Sequence, residues 1–227
     1  MTALHFLRNT IWFAGVLGHF LVLAALLRTR RMRRFPFFSA LMLFDMLRAI
    51  ALATFVVRLS PAAIRVTASV FEICDLTLEF GVLAELVLTA LWPLGRLRRV
   101  TLSLLLLACG GMVVMRLAPL SRYPGRAMPL LLHFALGVLF VEWSLALALM
   151  LRQLRLRWRS DVAAISLGFG IYSAALLLAG GYFRVGRDLG DFILFSYLRI
   201  AAYLAVVLWW ILALWNAGGG SPRPREA

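Results

Sequence analysis

Three carboxylates, Glu72, Asp75 and Glu79, stand at helical spacing within an otherwise apolar stretch of the chain. At roughly 100° per residue they fall within about 60° of one another on a helix, whereas Glu85 points well away from them. An ionised group in hydrocarbon is costly unless it is paired, protonated or hydrated. This acidic stripe (Glu72, Asp75 and Glu79) therefore predicts a buried polar seam that pairs with cations, carries protons or contacts water.

Few cations are available to the acidic stripe inside the apolar stretches. Asp45 and Arg48 are three residues apart, a spacing at which they can neutralise each other or approach the stripe, and we favour the second. Counting about 1.5 Å per residue from the outer helix ends places Arg48 and Arg199 at depths similar to the stripe. We therefore predict that both arginines pair with it. Because two arginines cannot neutralise the stripe together with Asp45 and Glu142, we expect a protonated acid, water or a cation in the site.

Enzymatic and cofactor chemistries fit these residues poorly. A retinal protein needs a lysine in its last helix, and the chain has no lysine. His133 could join Glu72 at a metal, but no paired ligand motif supports such a site, and the expected depths of His19 and His133 do not suit a bis-histidine haem. Asp45 and Asp75 could approach each other, yet nearby arginines would keep both ionised, which is the wrong state for an aspartyl hydrolase. With no nucleotide-binding or nucleophile motif either, we predict no enzyme activity, metal or cofactor.

Composition identifies the elements that must position these residues. The chain has 227 residues, of which 63% are hydrophobic and 15% charged, and a mean hydropathy of +0.91. Soluble domains are nearer half apolar and a quarter charged, so we predict an all-α polytopic membrane bundle. Seven apolar runs predict transmembrane helices over about 9–27, 35–57, 66–92, 100–118, 130–151, 162–183 and 192–215. They form one predicted domain over 1–216, followed by a disordered cytoplasmic tail over 217–227.

The distribution of arginine predicts the orientation of this bundle. All 24 basic residues are arginine; fourteen follow spans 1, 3, 5 and 7, and seven lie in the remaining connections and the N-terminus. The positive-inside rule then places the N-terminus outside and the C-terminus in the cytoplasm, in the inner (plasma) membrane of a cell. We expect the cytoplasmic arginine loops to contact anionic lipid headgroups, not nucleic acid.

Short sequence blocks recur at a nearly constant offset. The matching pairs are 15–17 with 137–139, 27–28 with 151–152, and 90–92 with 213–215. They predict that spans 1–3 and 5–7 are parallel repeats joined by span 4. This 3+1+3 plan is similar in topology to that of small sugar transporters, whose site lies between the repeats, although the proline expected in the first helix of each half is missing.

Two functions fit the acidic stripe and its arginines. In the first, a cavity open to the outer side binds or transports a small solute, and the transport is coupled to protons. Glu79 and Glu142 would be the proton carriers, and the arginines would be charge partners or anion-binding groups. In the second, the protein is a sensor or assembly subunit that acts through a separate membrane partner, and its charges are structural helix–helix ion pairs. A cavity that reaches Glu79 favours the first function, and a dry, fully paired core favours the second. The candidate residues for binding or proton relay are Asp45, Arg48, Glu72, Asp75, Glu79, His133, Glu142 and Arg199.

Overall fold

The fold is all-α in the part of the chain that the structure, a computed structural model, describes. That part comprises residues 3–54, 60–91, 127–154, 160–182 and 189–216, with the single positions 103, 107, 108 and 111. The helices are α1 (Ala3–Arg28), α2 (Pro36–Thr54), α3 (Pro61–Leu91), α4 (Ala127–Leu154), α5 (Ser160–Tyr182) and α6 (Leu189–Asn216). They match predicted spans 1, 2, 3, 5, 6 and 7. Span 4 (100–118), apart from the four single positions, and the tail (217–227) lie outside the described residues.

Four of these helices are long and apolar enough to cross a membrane. The qualifying stretches are Thr10–Arg28, Pro36–Thr54, Asp161–Leu178 and Tyr197–Asn216. In α3 the charged side chains interrupt the apolar run, and in α4 the side chains described within His133–Leu149 are apolar for the most part. The described helices therefore indicate a multi-pass membrane protein.

Large apolar side chains cover the outer surface of the bundle, in addition to filling its core. Large apolar residues such as Phe13, Leu178 and Leu208 face outward with 61%, 72% and 60% of their surface exposed. His19 and Asp161 are buried inside the bundle instead. An outer surface of this kind suits lipid, because contiguous apolar area is disfavoured against water.

The helices pack as a closed ring. Successive helices touch within α1–α2–α3 and within α4–α5–α6, and the ring closes where α6 meets α1 and α3 meets α4; α3 also touches α5. The shared core draws on every helix, with fully buried side chains that include Val22, Phe38, Leu86, Trp143 and Ile165.

Residue contacts give the direction of each helix in the ring. Gly18 packs against Val207 and the Arg28 guanidinium lies 4.7 Å from the centre of the Trp215 ring, so α1 and α6 run parallel. Within each group of three, short connections join antiparallel neighbours. As a result α1, α3, α4 and α6 begin at one face of the bundle, called here the upper face, and α2 and α5 begin at the opposite, lower face.

Local sequence explains why α1 ends and α3 begins where they do. At the end of α1, Arg30 adopts a φ of 54°, and the N–H of Arg31 donates to the Leu26 carbonyl at 2.8 Å, as in a Schellman turn. Helix α3 begins five residues before the predicted span. Its cap is the Ser60 hydroxyl, which accepts from the Ala63 N–H at 3.3 Å, and Pro61 suits the first helical position.

The start of α2 is capped by another helix. No side chain of its own covers the free N–H groups of Phe37 and Phe38, and both donate to the Glu85 carboxylate of α3, at 3.4 and 3.1 Å. Gly81, one turn earlier on α3, allows this approach, since a Cβ there would overlap the Phe37 ring. Glu85 therefore faces α2, away from the acidic stripe as the spacing predicts.

An ion cluster ties the lower face together. Asp161, at the start of α5, accepts from Arg34 Nη1 at 3.0 Å and lies 3.7 Å from Arg31 Nε; its other oxygen accepts from the Val162 N–H. The carboxylate is 4% exposed. Two arginines of the α1–α2 connection thus contact protein at this point, a role that their position in a basic loop did not reveal.

Candidate functional site

Arg48 joins α2 to α3 by binding two aspartates. Its Nη2 lies 2.7 Å from Asp45 Oδ1, one turn earlier on α2, and its Nη1 donates to Asp75 Oδ2 at 2.5 Å. The arginine side chain is 30% exposed, and those of Asp45 and Asp75 are 15% and 16% exposed. The two arrangements that the Asp45–Arg48 spacing allows therefore occur together, because one guanidinium serves both carboxylates.

A cavity of about 390 Å³ opens beside this bridge, between α1, α2, α3, α5 and α6. Its ionisable wall is formed by His19, Asp45, Arg48, Asp75 and Glu79. Its aromatic wall is formed by Trp12, Phe169, Tyr172, Tyr203 and Trp210. The volume falls within the range of small-molecule pockets.

The exposure of the lining side chains shows which end of the cavity is more buried. Trp12, toward the upper face, is 41% exposed, whereas Met42, Phe169 and Trp210 are only 2–5% exposed. The lining is therefore most exposed near the start of α1 and most buried toward the core.

Aromatic rings fill the lower end. Phe38, Phe140, Phe169 and Trp210 are all at least 95% buried. Phe140 stacks on Phe169 at 4.6 Å between ring centres, and the Trp210 ring lies 4.9 Å from Phe169 and 5.1 Å from Phe38. This aromatic cluster (Phe38, Phe140, Phe169 and Trp210) separates the cavity from the lower face.

Glu79 is the member of the acidic stripe that lies deepest in the cavity wall. It is partly buried, and among the described residues no side chain or backbone group lies within hydrogen-bonding or ion-pair distance of its carboxylate. The nearest guanidinium, that of Arg48, is already shared by Asp45 and Asp75. The wall therefore holds three carboxyl groups and one arginine.

A histidine and a tyrosine extend the polar wall onto α1 and α6. His19 Nδ1 lies 2.8 Å from the Gly15 carbonyl, and because a carbonyl only accepts, this nitrogen carries the hydrogen. Nε2 is then free to accept from the Tyr203 hydroxyl at 2.6 Å, and it lies 3.7 Å from Asp45 Oδ2. A row of polar groups thus runs from Tyr203 through His19 and Asp45 to Arg48.

Neither Tyr203 nor His19 was among the candidate residues that the sequence singled out for binding or proton relay. The structure places both in the cavity wall. From the sequence alone, a tyrosine that packs within an apolar helix cannot be distinguished from one whose hydroxyl makes a functional hydrogen bond.

The remaining four candidates lie outside the cavity lining. Glu72 and His133 approach each other at 4.0 Å between α3 and α4, with side chains 42% and 38% exposed. Glu142 is on α4, and its buried Oε2 has no hydrogen-bond partner among the described residues. The described carboxylates and histidines form no group of three that could hold a metal ion.

The predicted pairing of Arg199 with the acidic stripe is wrong for the described residues. Arg199 is exposed, and no described carboxylate lies within 4 Å of it. Arg199 lies on the same side of α6 as Val206 and Trp210, which line the cavity seven and eleven residues later, so its exposed side chain is on the cavity side of the helix without reaching a described carboxylate.

The site thus combines one shared arginine, an acid that has no cationic partner among the described residues, and an aromatic wall, in a cavity whose lower end is buried. Such an arrangement can bind a solute, and its acids can exchange protons with it. No protein-family model, curated protein or solved structure gives a significant match to this chain.

Proposed function

We propose that this membrane protein binds or transports a small solute in the cavity between its helices, with proton coupling through Glu79. The observation that carries the proposal is the cavity of about 390 Å³ that includes Glu79 in its wall. A cavity at this position is what distinguishes a solute-binding core from one in which all charges serve packing. In this role Arg48 holds Asp45 and Asp75 in place, and Glu79 and Glu142 are proton carriers.

We further propose seven crossings, with the upper face outside the cell. Helix α3 ends at the lower face and α4 begins at the upper face, so the chain has to return across the bundle between residues 91 and 127. The predicted span over 100–118 supplies such a crossing. Helices α1, α3, α4 and α6 end at the lower face, and in the sequence the arginine-rich segments follow these four helices, which supports a cytoplasmic lower face and an inner (plasma) membrane.

The ring order supports the proposed 3+1+3 repeat. Two copies of a three-helix unit related by a twofold axis would bring the third helix of each copy against the first helix of the other. The contacts of α3 with α4 and of α6 with α1 meet this requirement. In repeat transporters the substrate site lies between the two halves, and here the cavity takes residues from both.

We propose that the protein is not an enzyme. Asp45 and Asp75, the pair that could act as an aspartyl dyad, share Arg48 instead of a proton. Such a dyad works only when one carboxyl group is protonated and the other is ionised.

Proton-coupled uptake by proteoliposomes tests the proposed function. Vesicles loaded with a pH-sensitive dye are mixed with cationic, neutral and anionic organic solutes, and the internal pH is recorded. We expect at least one class of solute to change it, and we expect Glu79→Gln to abolish the change without altering thermal unfolding. Glu72→Gln is the matched control on the same helix, since Glu72 lies outside the cavity. A signal unchanged in Glu79→Gln would overturn the proposal.

One observation favours a second function, that of a sensor or assembly subunit acting through a partner membrane protein. The Arg48 bridge fixes α2 against α3 without any solute, as structural ion pairs do. This function is supported if no solute class changes the vesicle pH while removal of Arg48 destabilises the bundle.

A further inference from the structure

We propose that the cavity takes a small organic cation, an ammonium group carrying an alkyl or aryl part. The proposal rests on the proposed solute-binding function and names the chemical class of the solute. The charge would lie beside Glu79 and the Asp45–Arg48–Asp75 bridge, and the apolar part would lie against the aromatic wall.

The charge balance of the wall selects for a cation. The ionisable groups on the cavity are three carboxyl groups, one arginine and one histidine, and the histidine already accepts a hydrogen bond from Tyr203. Arg48 is engaged by Asp45 and Asp75, so it offers little to an anion. An added positive charge offsets the surplus of negative charge in a site where water is scarce.

The rings of the wall select for an organic cation over an inorganic one. Cations bind over the faces of tryptophan and tyrosine, and quaternary ammonium groups are commonly held in aromatic cages. Trp12, Tyr172 and Tyr203 line the cavity from three helices, together with Asp45, Asp75 and Glu79 from α2 and α3. A hard metal ion would instead need several oxygen ligands together, and the described residues hold no such group.

The size of the cavity suits a ligand of this class. At about 30 Å³ per molecule in the liquid, about 13 waters would occupy 390 Å³. A choline-sized or phenethylammonium-sized cation fits in this volume with room for a few waters. The apolar residues Leu41, Leu52 and Leu204 complete a wall against which a hydrocarbon part can pack.

Calorimetric titration of the purified full-length protein tests the inference, with choline and phenethylammonium as probes. The neutral isostere of choline, 3,3-dimethylbutanol, and the anion benzoate are the comparison ligands. We expect both cations to bind, the neutral isostere to bind at least about tenfold more weakly, and benzoate not to bind. Equal binding of choline and its neutral isostere, or preferred binding of benzoate, would overturn the inference.

Two variants and one matched control locate the bound cation. We expect Glu79→Gln and Tyr172→Leu each to weaken cation binding by about tenfold. Phe80→Leu removes a ring from the outward-facing side of α3, next to Glu79, and should leave binding unchanged. An equal loss in Phe80→Leu and Tyr172→Leu would refute the aromatic wall as the binding surface. Thermal unfolding of each variant identifies a misfolded one, and Tyr203→Leu, which removes another ring of the aromatic wall, should weaken binding by about tenfold if Tyr172→Leu does not fold.

The vesicle assay separates this inference from the proposed function. If neutral or anionic solutes change the internal pH through Glu79 while no cation binds, the proposed function stands and the cation inference fails. If no class of solute binds or changes the pH, both fail.

Discussion

Arg48 carries one positive charge between two carboxylates, so its removal leaves two acids without a cation. Asp45 and Asp75 then face each other across α2 and α3 in a partly buried site. The loss of one member of a buried ion pair is far more damaging than the loss of the whole pair, because the remaining charge is still desolvated.

We predict that Arg48→Leu lowers the free energy of unfolding by about 3 kcal/mol. This value is at the lower end of the range for buried pairs, because the Arg48 side chain keeps 30% exposure. The triple variant that adds Asp45→Asn and Asp75→Asn should recover most of the loss. Thermal unfolding in detergent measures both, with the exposed Arg65→Leu as the control. A triple variant no more stable than Arg48→Leu would show that these aspartates are not its partners.

Sequence reasoning at this scale succeeded where spacing along a helix decided the outcome. The approach of Arg48 to Asp75 follows from similar depths on adjacent helices. It failed for Arg199, because a similar depth and a place on the cavity side of α6 do not bring this exposed side chain to a described carboxylate. It also missed Asp161, a lone acid beside a helix start, whose partners Arg31 and Arg34 lie far away in the chain.

At the scale of the helix, the C-terminus of α1 and the N-terminus of α2 are determined by contacts of backbone groups and not by the apolar pattern of the sequence. Arg30 holds a left-handed conformation that a side chain makes costly, and the turn after it leads into the contacts of Arg31 and Arg34 with Asp161. Glu85 covers the first N–H groups of α2 from a neighbouring helix.

We predict that Arg30→Gly stabilises the protein by up to about 1 kcal/mol, because glycine adopts a positive φ without steric cost. Arg33→Gly in the same connection is the matched control. Arg33 has no positive φ, so glycine there should give no gain and a small loss through the flexibility of the unfolded chain. Chemical denaturation of the two variants measures the difference. Equal effects would mean that the backbone conformation at Arg30 carries no strain.

Helix positions were predictable from apolar runs, and helix ends less so. The predicted start of span 3, residue 66, is five residues later than the observed start of α3, because Arg65 and Pro61 interrupt the apolar run. Ser60 and Pro61 cap the helix, and hydropathy does not detect a cap. The Glu85 cap of α2 could not be predicted, since it requires the register of α3 against α2.

At the scale of the whole molecule, the directions of the helices decide which of their ends lie at the upper face and which at the lower face. The Ser60 cap lies at the upper face, and the connection between α1 and α2 lies at the lower face. The order of helices around the ring was not readable from the sequence, because each apolar helix has several neighbours it could pack against. The cavity could not be predicted from the sequence either, because it is a space left between five helices.

We predict that a membrane-impermeant maleimide labels Ser60→Cys from outside intact cells. Arg33→Cys should react only after the membrane is permeabilised. Both sites are exposed, and both variants are made in a background that lacks Cys74 and Cys109. The reverse pattern would invert the proposed orientation, and labelling of both in intact cells would exclude the proposed crossings.

The aromatic cluster below the cavity limits the rate at which a solute or ion could cross the membrane through this protein. Phe38, Phe140, Phe169 and Trp210 are each at least 95% buried and contact one another through their rings, so side chains fill the lower end of the cavity. We expect this packing to prevent continuous ion conduction. Vesicles that contain the protein should therefore maintain an imposed membrane potential without leak. Transport through this end would require the rings to move apart and return once for each molecule. The transport rate would then be that of a carrier and not that of an ion channel.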